Sequence, residues 1–349
     1  MTVAPTAVGA SPTLDPDLQL RDILKTLPKS VFQKDSRKAW LAVAANITCV
    51  ALGYLAIAYS PWYLLPLAWI FAGTALTGSF VLGHDCGHRS FSNDNRINDI
   101  VGHLMFLPLF FPFHGWRIQH NYHHKHTNKQ GVDNAWDAMT SDGFLAESPT
   151  QQFLYTHVRG RFWWLGSIGH WVQEHFDWTQ FEGKQREQIR FSALFSLISM
   201  AIILPTLIAT IGLVGLFKFW VMPWLVYHFW MSTFTIVHHT LTEIPFVPAE
   251  NWHEAAAQLT GTVHCNYPKW VEWLCFDINV HIPHHISTGI PWYNLRNAHA
   301  ALQEHWGPHL VERDFSWSLM QEITGVCHVY DDRYRSIRDI GRDVQLTKG

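Results

Sequence analysis

Residues 39–83 contain no Asp, Glu, Lys or Arg. A helix needs about 20 apolar residues to cross a bilayer, so this run is long enough for two crossings. Pro61-Trp62-Tyr63 sits near its middle, and Trp and Tyr gather at membrane–water interfaces. Divided there, the run predicts spans over about residues 39–59 and 63–83. Residues 191–217 and 219–242 are again uncharged and are separated only by Lys218. They predict two further spans, about 191–213 and 219–239, in which Pro205 and Pro223 are tolerable because a membrane helix can re-satisfy freed backbone groups.

The rest of the chain is more polar. Residues 97–113 are apolar but contain His103, Pro108 and Pro112, and read as an interfacial or re-entrant segment. Residues 153–181 carry Trp163, Trp164, Trp171 and Trp178, as expected of a helix lying at headgroup level. Residues 1–18 are rich in Ala, Pro, Thr and Ser, without periodicity or a secretory-signal pattern, and read as a disordered tail. The expectation is an all-α integral membrane protein. A single domain over 19–349 would hold four transmembrane helices in two hairpins, with a helical cap from residues 84–190 and 243–349. Lys34, Arg37 and Lys38 flank the first span, and Lys184, Arg186 and Arg190 the third, while the hairpin tips have only Lys218. The excess of basic residues then puts both termini and the cap in the cytoplasm.

Composition agrees. Only 15% of the residues are charged, against about 25% in soluble domains. The net charge of −3 argues against nucleic acid as a partner. Cys49, Cys86, Cys265, Cys275 and Cys327 form no C-x-x-C pair and read as free thiols in a reducing compartment.

The 23 histidines nearly equal the 25 Lys and Arg together, and they cluster. His120, His123 and His124 stand at i, i+3, i+4, one face of a helix. His84 and His88 stand at i, i+4, and His281, His284 and His285 repeat the H-x-x-H-H pattern. Neutral imidazole is the commonest metal ligand among side chains. Eight exceed what one tetrahedral ion needs, which favours two ions in one cluster. Pro283 is disfavoured in a helix interior, so the third helix should begin near Ile282. His238 or His239, at the end of the fourth span, is a candidate ninth ligand. His103, His114, His126, His170, His175 and His228 lack such spacing and are expected to be structural.

Bound imidazoles usually donate their second N–H to a carboxylate or amide, and Asp85, Asp133, Asn134, Asp137, Asp277 and Asn279 lie beside the boxes. All-nitrogen ligation suits iron, copper, zinc or nickel, and O2 chemistry narrows that to iron or copper. No nucleotide-binding loop and no haem-attachment motif occurs, so electrons must come from a separate protein. No catalytic side chain is expected beyond the metal ligands. Residue by residue, the chain reads as a membrane redox metalloenzyme acting on lipid.

The stretches G-H-D-C-G-H-R-S-F (83–91), W-R-I-Q-H-N-Y-H-H-K-H-T-N (116–128) and H-I-P-H-H (281–285) resemble the three histidine boxes of membrane fatty-acid desaturases. V-D-N-A-W-D (132–137), P-W-L-V-Y-H-F-W (223–230) and D-I-N-V-H-I-P-H-H (277–285) resemble the cyanobacterial acyl-lipid Δ12 branch, and the likeness covers roughly residues 19–330. It implies two iron ions held by the eight box histidines and by His238 or His239, with O2 as co-substrate and reduced ferredoxin as electron donor. It also implies a thylakoid or plasma membrane location and conversion of oleoyl to linoleoyl groups in glycerolipids. K-H-T-N-K after His124 differs from the T-G-N run associated with omega-3 desaturases. The alternatives are an omega-3 acyl-lipid desaturase and a di-iron hydroxylase of lipid or carotenoid. A metal transporter is disfavoured, because its ligands belong at mid-membrane, not at the ends of apolar runs.

Overall fold

The computed structural model describes residues 14–341. Most of the tail expected at 1–18 therefore lies outside the described residues. Leu14 and Leu18, however, pack against a cluster built on Ile23, Val280, Ile282 and Leu302, so the packed chain begins earlier than composition suggests.

Helix α1 (Ser36–Tyr59) starts where the Asp35 carboxylate accepts the backbone N–H groups of Arg37 and Lys38, an N-cap that satisfies two orphan donors. It stops before Pro61. One 3-10 turn (Trp62–Leu64) leads into α2 (Leu65–Gly87). The two helices pack antiparallel. Asn46 donates to the Ala75 carbonyl at 2.8 Å and accepts from Ser79 Oγ at 2.6 Å, while Ile57 meets Ala68 and Ala72 near the turn. Every residue from Ala72 to Gly87 is buried. Helix α1 instead turns Leu41, Ile47, Leu52 and Leu55 outward. An apolar outer face on this scale suits lipid, not water.

The apolar segment at 97–113 folds as α3 (Asn95–Phe106), a short 3-10 turn, and the start of α4 (Phe113–Lys125). Phe110, between Pro108 and Pro112, takes φ 51° to make the bend. The aromatic stretch at 153–181 is two short helices, Pro149–Arg159 and Gly166–Glu174, broken at Gly160.

Helix α5 (Gly183–Leu216) passes through a π-turn (Phe217–Val221) into α6 (Met222–His239). Among the described residues, three segments are long and apolar enough to cross a membrane: Ser36–Tyr59, Trp62–Gly87 and the 57-residue Gly183–His239. At 1.5 Å per residue the third would be about 85 Å if straight, nearly three bilayer cores. It is interrupted at Gly212 (φ 69°, ψ 178°), a backbone conformation that glycine alone adopts without penalty. Helix α6 lies against α2. Trp230 Nε1 donates to Thr74 Oγ1 at 2.8 Å, and a Cβ at Gly73 would collide with Pro223 and Val226.

Among the remaining described residues, two small two-stranded sheets depart from the all-α expectation. Val263–Asn266 pairs in parallel with Val311–Asp314, and Val329–Tyr330 pairs with Tyr334–Arg335. Helices α7 (Glu254–Thr260) and α8 (His281–Ile286) belong to this part. All five cysteines are buried free thiols, as expected.

Candidate metal centre

Four helix ends deliver the histidine boxes to one place. His84 lies in the last turn of α2 and His88 is its C-cap. His120, His123 and His124 share the inner face of the second half of α4. His281 opens α8 and Pro283 falls in its first turn, where a missing N–H costs nothing. His238 and His239 end α6.

The ring nitrogens fall into two groups. His84, His88, His120 and His284 place their ligand atoms within 4.8 Å of one another, and His123, His239 and His285 do the same. His124 joins the first group, its Nε2 standing 3.2 Å from His120 Nε2 and 3.0 Å from His284 Nε2. His281 joins the second, its Nε2 standing 3.2 Å from that of His239 and 3.0 Å from that of His285. His123 and His239 close that group at 3.2 Å. The groups abut through His124 and His285, whose ring centroids are 4.2 Å apart.

Hydrogen bonding alone does not account for this packing. A neutral imidazole has one N–H, yet each of these Nε2 atoms faces one or two others. Both ring nitrogens of His84 are buried with no hydrogen-bond partner among the described residues. Imidazoles bound to one cation at about 2.0–2.1 Å stand roughly 3.0–3.4 Å apart at octahedral or tetrahedral angles, the spacing found here. Burial holds His120, His124, His281, His284 and His285 well below the usual imidazole range, and the neighbouring rings reinforce it. They are neutral at pH 7, the form that binds metal. The donor set therefore fits two adjacent cations.

Supporting contacts reach two of these rings directly. His123 Nδ1 donates to Asp133 Oδ1 at 2.6 Å, which turns its Nε2 toward the cluster. Asp133 is held in turn by the backbone N–H groups of Asn128 and Ala135. His285 Nδ1 donates to Gln258 Oε1 at 2.9 Å, and Thr127 Oγ1 lies 3.2 Å from both atoms. Gln258 also donates to the His124 carbonyl. Asp85 Oδ1 lies 3.5 Å from His84 Nδ1, while its Oδ2 accepts the Trp292 N–H. Trp116 stacks on His120 with ring centroids 4.6 Å apart.

Sequence proximity overreached elsewhere. Asn134 donates to Gln119, and Asp137 accepts the N–H of Gly131 in its own loop. Asp277 pairs with Arg296, and Asn279 bridges the Cys265 carbonyl and Glu272. None of the four bonds a box histidine; each is drawn off by a nearer backbone group or counter-charge. His238 stacks flat on His281 at 3.9 Å, and its Nε2 has no hydrogen-bond partner among the described residues. Only His239 enters the nitrogen cluster. Gln258 and Thr127 were not anticipated. Thr127 stands one turn past His124, a signal available in the sequence, whereas nothing in the seven residues of α7 marks Gln258.

A cavity of about 330 Å³ opens against the cluster, with His120 and His123 in its wall. Phe80 from α2 and Tyr227 and Met231 from α6 contribute to its apolar lining. Of the histidines expected to be structural, His170 and His175 also border it. His103 and His126 bond to carbonyls one turn back on their own helices, and His228 bonds to Ser167.

Comparison with known proteins supplies the context. The family model described as fatty acid desaturase matches residues 60–317. The chain is 56% identical over 318 residues, 91% of each chain, to a Synechocystis sp. protein named sn-1 oleoyl-lipid 12-desaturase. It is 54% identical to an Anabaena variabilis protein of the same name, over 93% of this chain and 94% of that one. It is 50% identical to an Arabidopsis thaliana protein named omega-6 fatty acid desaturase, chloroplastic, over 91% of this chain and 71% of that one.

Proposed function

Because the chain belongs to the fatty acid desaturase family, we propose that it introduces the Δ12 double bond into oleoyl groups esterified in membrane glycerolipids, giving linoleoyl groups. The observation that carries this reading is the convergence of nine imidazoles beside an apolar cavity. The names of the cyanobacterial relatives support the Δ12 position over the omega-3 alternative.

In this reading His84, His88, His120, His124 and His284 hold one iron ion, and His123, His239, His281 and His285 hold the other. The pair would supply O2 activation and hydrogen abstraction, chemistry that protein side chains lack. In sum, –CH2–CH2– with O2, two electrons and two protons gives –CH=CH– and two waters. The chain's own part is placement. Asp133 and Gln258 orient His123 and His285 through their Nδ1 atoms. Phe80, Tyr227 and Met231 offer an apolar channel that would hold two adjacent methylenes near His120 and His123 and keep water out.

The electrons would come from reduced ferredoxin. Four spans in two hairpins would place both termini and the histidine cluster on the cytoplasmic side of a thylakoid or plasma membrane, with α5 and α6 crossing separately about Gly212. The lipid-specific test is expression in a host that makes only monounsaturated lipids, followed by gas chromatography of fatty acids from intact glycerolipids. The expected product is an 18-carbon Δ9,12 diene. Membrane-inserted protein yielding only a hydroxylated acid, or no new product, would refute the proposal.

A further inference from the structure

A second cavity, about 730 Å³, lies against α1 and shares no lining residue with the one beside the histidines. Lys38, Leu41, Ala45 and Cys49 line it from one face of α1, following the helical repeat. From Lys38 to Cys49 the helix rises about 16 Å. Across from them stand Trp273, Leu274 and Phe276. The groove is therefore an apolar slot with a cation at the end where the uncharged part of α1 begins.

Charge among the lining residues is unbalanced. Lys38, Lys269 and Arg296 face two carboxylates, Glu272 and Asp277. Glu272 is taken by Lys269 and Arg296, each at 2.8 Å, and Asp277 by Arg296. Lys38 makes no ion pair among the described residues; its ammonium lies 5.2 Å from the centre of the Tyr293 ring. Of the three cations in the lining, Lys38 alone is without an ion pair among the described residues, and it sits at the mouth of the slot. The apolar wall stays open, with Leu41 58% and Trp273 63% exposed.

We propose that this groove binds an anionic glycerolipid, its phosphate or sulfonate head at Lys38 and one acyl chain along Leu41, Ala45 and Cys49, an assignment that rests on α1 crossing a bilayer. A free anion would use the lysine and leave the slot empty. A zwitterionic lipid would fill the slot without balancing the charge. An anionic amphiphile satisfies both.

Native mass spectrometry of the full chain, released from vesicles of phosphatidylglycerol and phosphatidylcholine in equal parts, tests this. Wild-type protein should keep one phosphatidylglycerol under activation that strips phosphatidylcholine. Lys38→Met should weaken that retention about fivefold, the usual worth of one basic residue near an anionic headgroup. Ala45→Trp, which fills the slot at unchanged charge, should abolish it. Membrane fractionation of each variant keeps the outcomes separate: protein absent from the membrane fails the bilayer reading itself. Inserted protein that holds both lipids equally, or whose retention neither substitution changes, overturns the lipid assignment alone.

Discussion

His123 and Asp133 are joined by a 2.6 Å hydrogen bond from Nδ1 to Oδ1, and the other ring nitrogen of His123 faces His239 at 3.2 Å. One bond thus fixes the tautomer, the ring orientation and the free electron pair of a central imidazole.

Asp133→Ala is expected to lower metal affinity by about 10- to 100-fold, the usual consequence of removing such a support, while the membrane-inserted fold persists. Metal retained after graded chelation, compared with wild type, measures it. Asp133→Asn, which keeps an acceptor, should lose less.

His239→Ala should abolish diene formation and lower bound metal, because its Nε2 lies between those of His123 and His281. His238→Phe should keep most of both, because His238 stacks on His281 and Phe234 and a phenyl ring can do the same. Product analysis and metal content of the two purified variants distinguish them.

Filling the metal-side cavity should separate substrate access from metal binding. Met231→Trp adds bulk to a wall shared with His120 and His123. Diene formation is expected to fall at least about tenfold, with metal content unchanged. A variant with normal turnover would place the acyl chain elsewhere.

Stability should fall on acidification through histidines remote from the cluster. Burial, with His264 adjacent, lowers His299 to about 4, and burial, with Arg159 adjacent, lowers His328 to about 4. Their unfolded value is near 6.5, so below that pH the unfolded chain takes up protons that the folded chain refuses. Each then removes about 2 kcal/mol of stability by pH 5. Thermal unfolding in detergent from pH 7.5 to 5 should show a steep loss, and His328→Gln should make it shallower.

The sequence carried the box histidines legibly, because their spacing is set by one helical turn and needs no tertiary information. The apolar runs were legible for the same local reason, and the long third segment, Gly183–His239, is itself interrupted at Gly212. Choosing between His238 and His239 was not possible by spacing. The two differ by about 100° of helix rotation, and only the packing of α6 on α2 fixes which one faces inward. Asp277 and Asn279 looked like partners because they adjoin the third box, yet Arg296 and the strand at Cys265 claim them first. Gln258 reaches His285 from 27 residues away through tertiary packing alone.

Iron counting coupled to turnover tests the central claim most directly. Purified chain should hold two iron ions, lose diene formation when they are chelated, and regain it when ferrous iron is restored. Active enzyme free of iron, or full activity in a His284→Ala variant, would contradict the account.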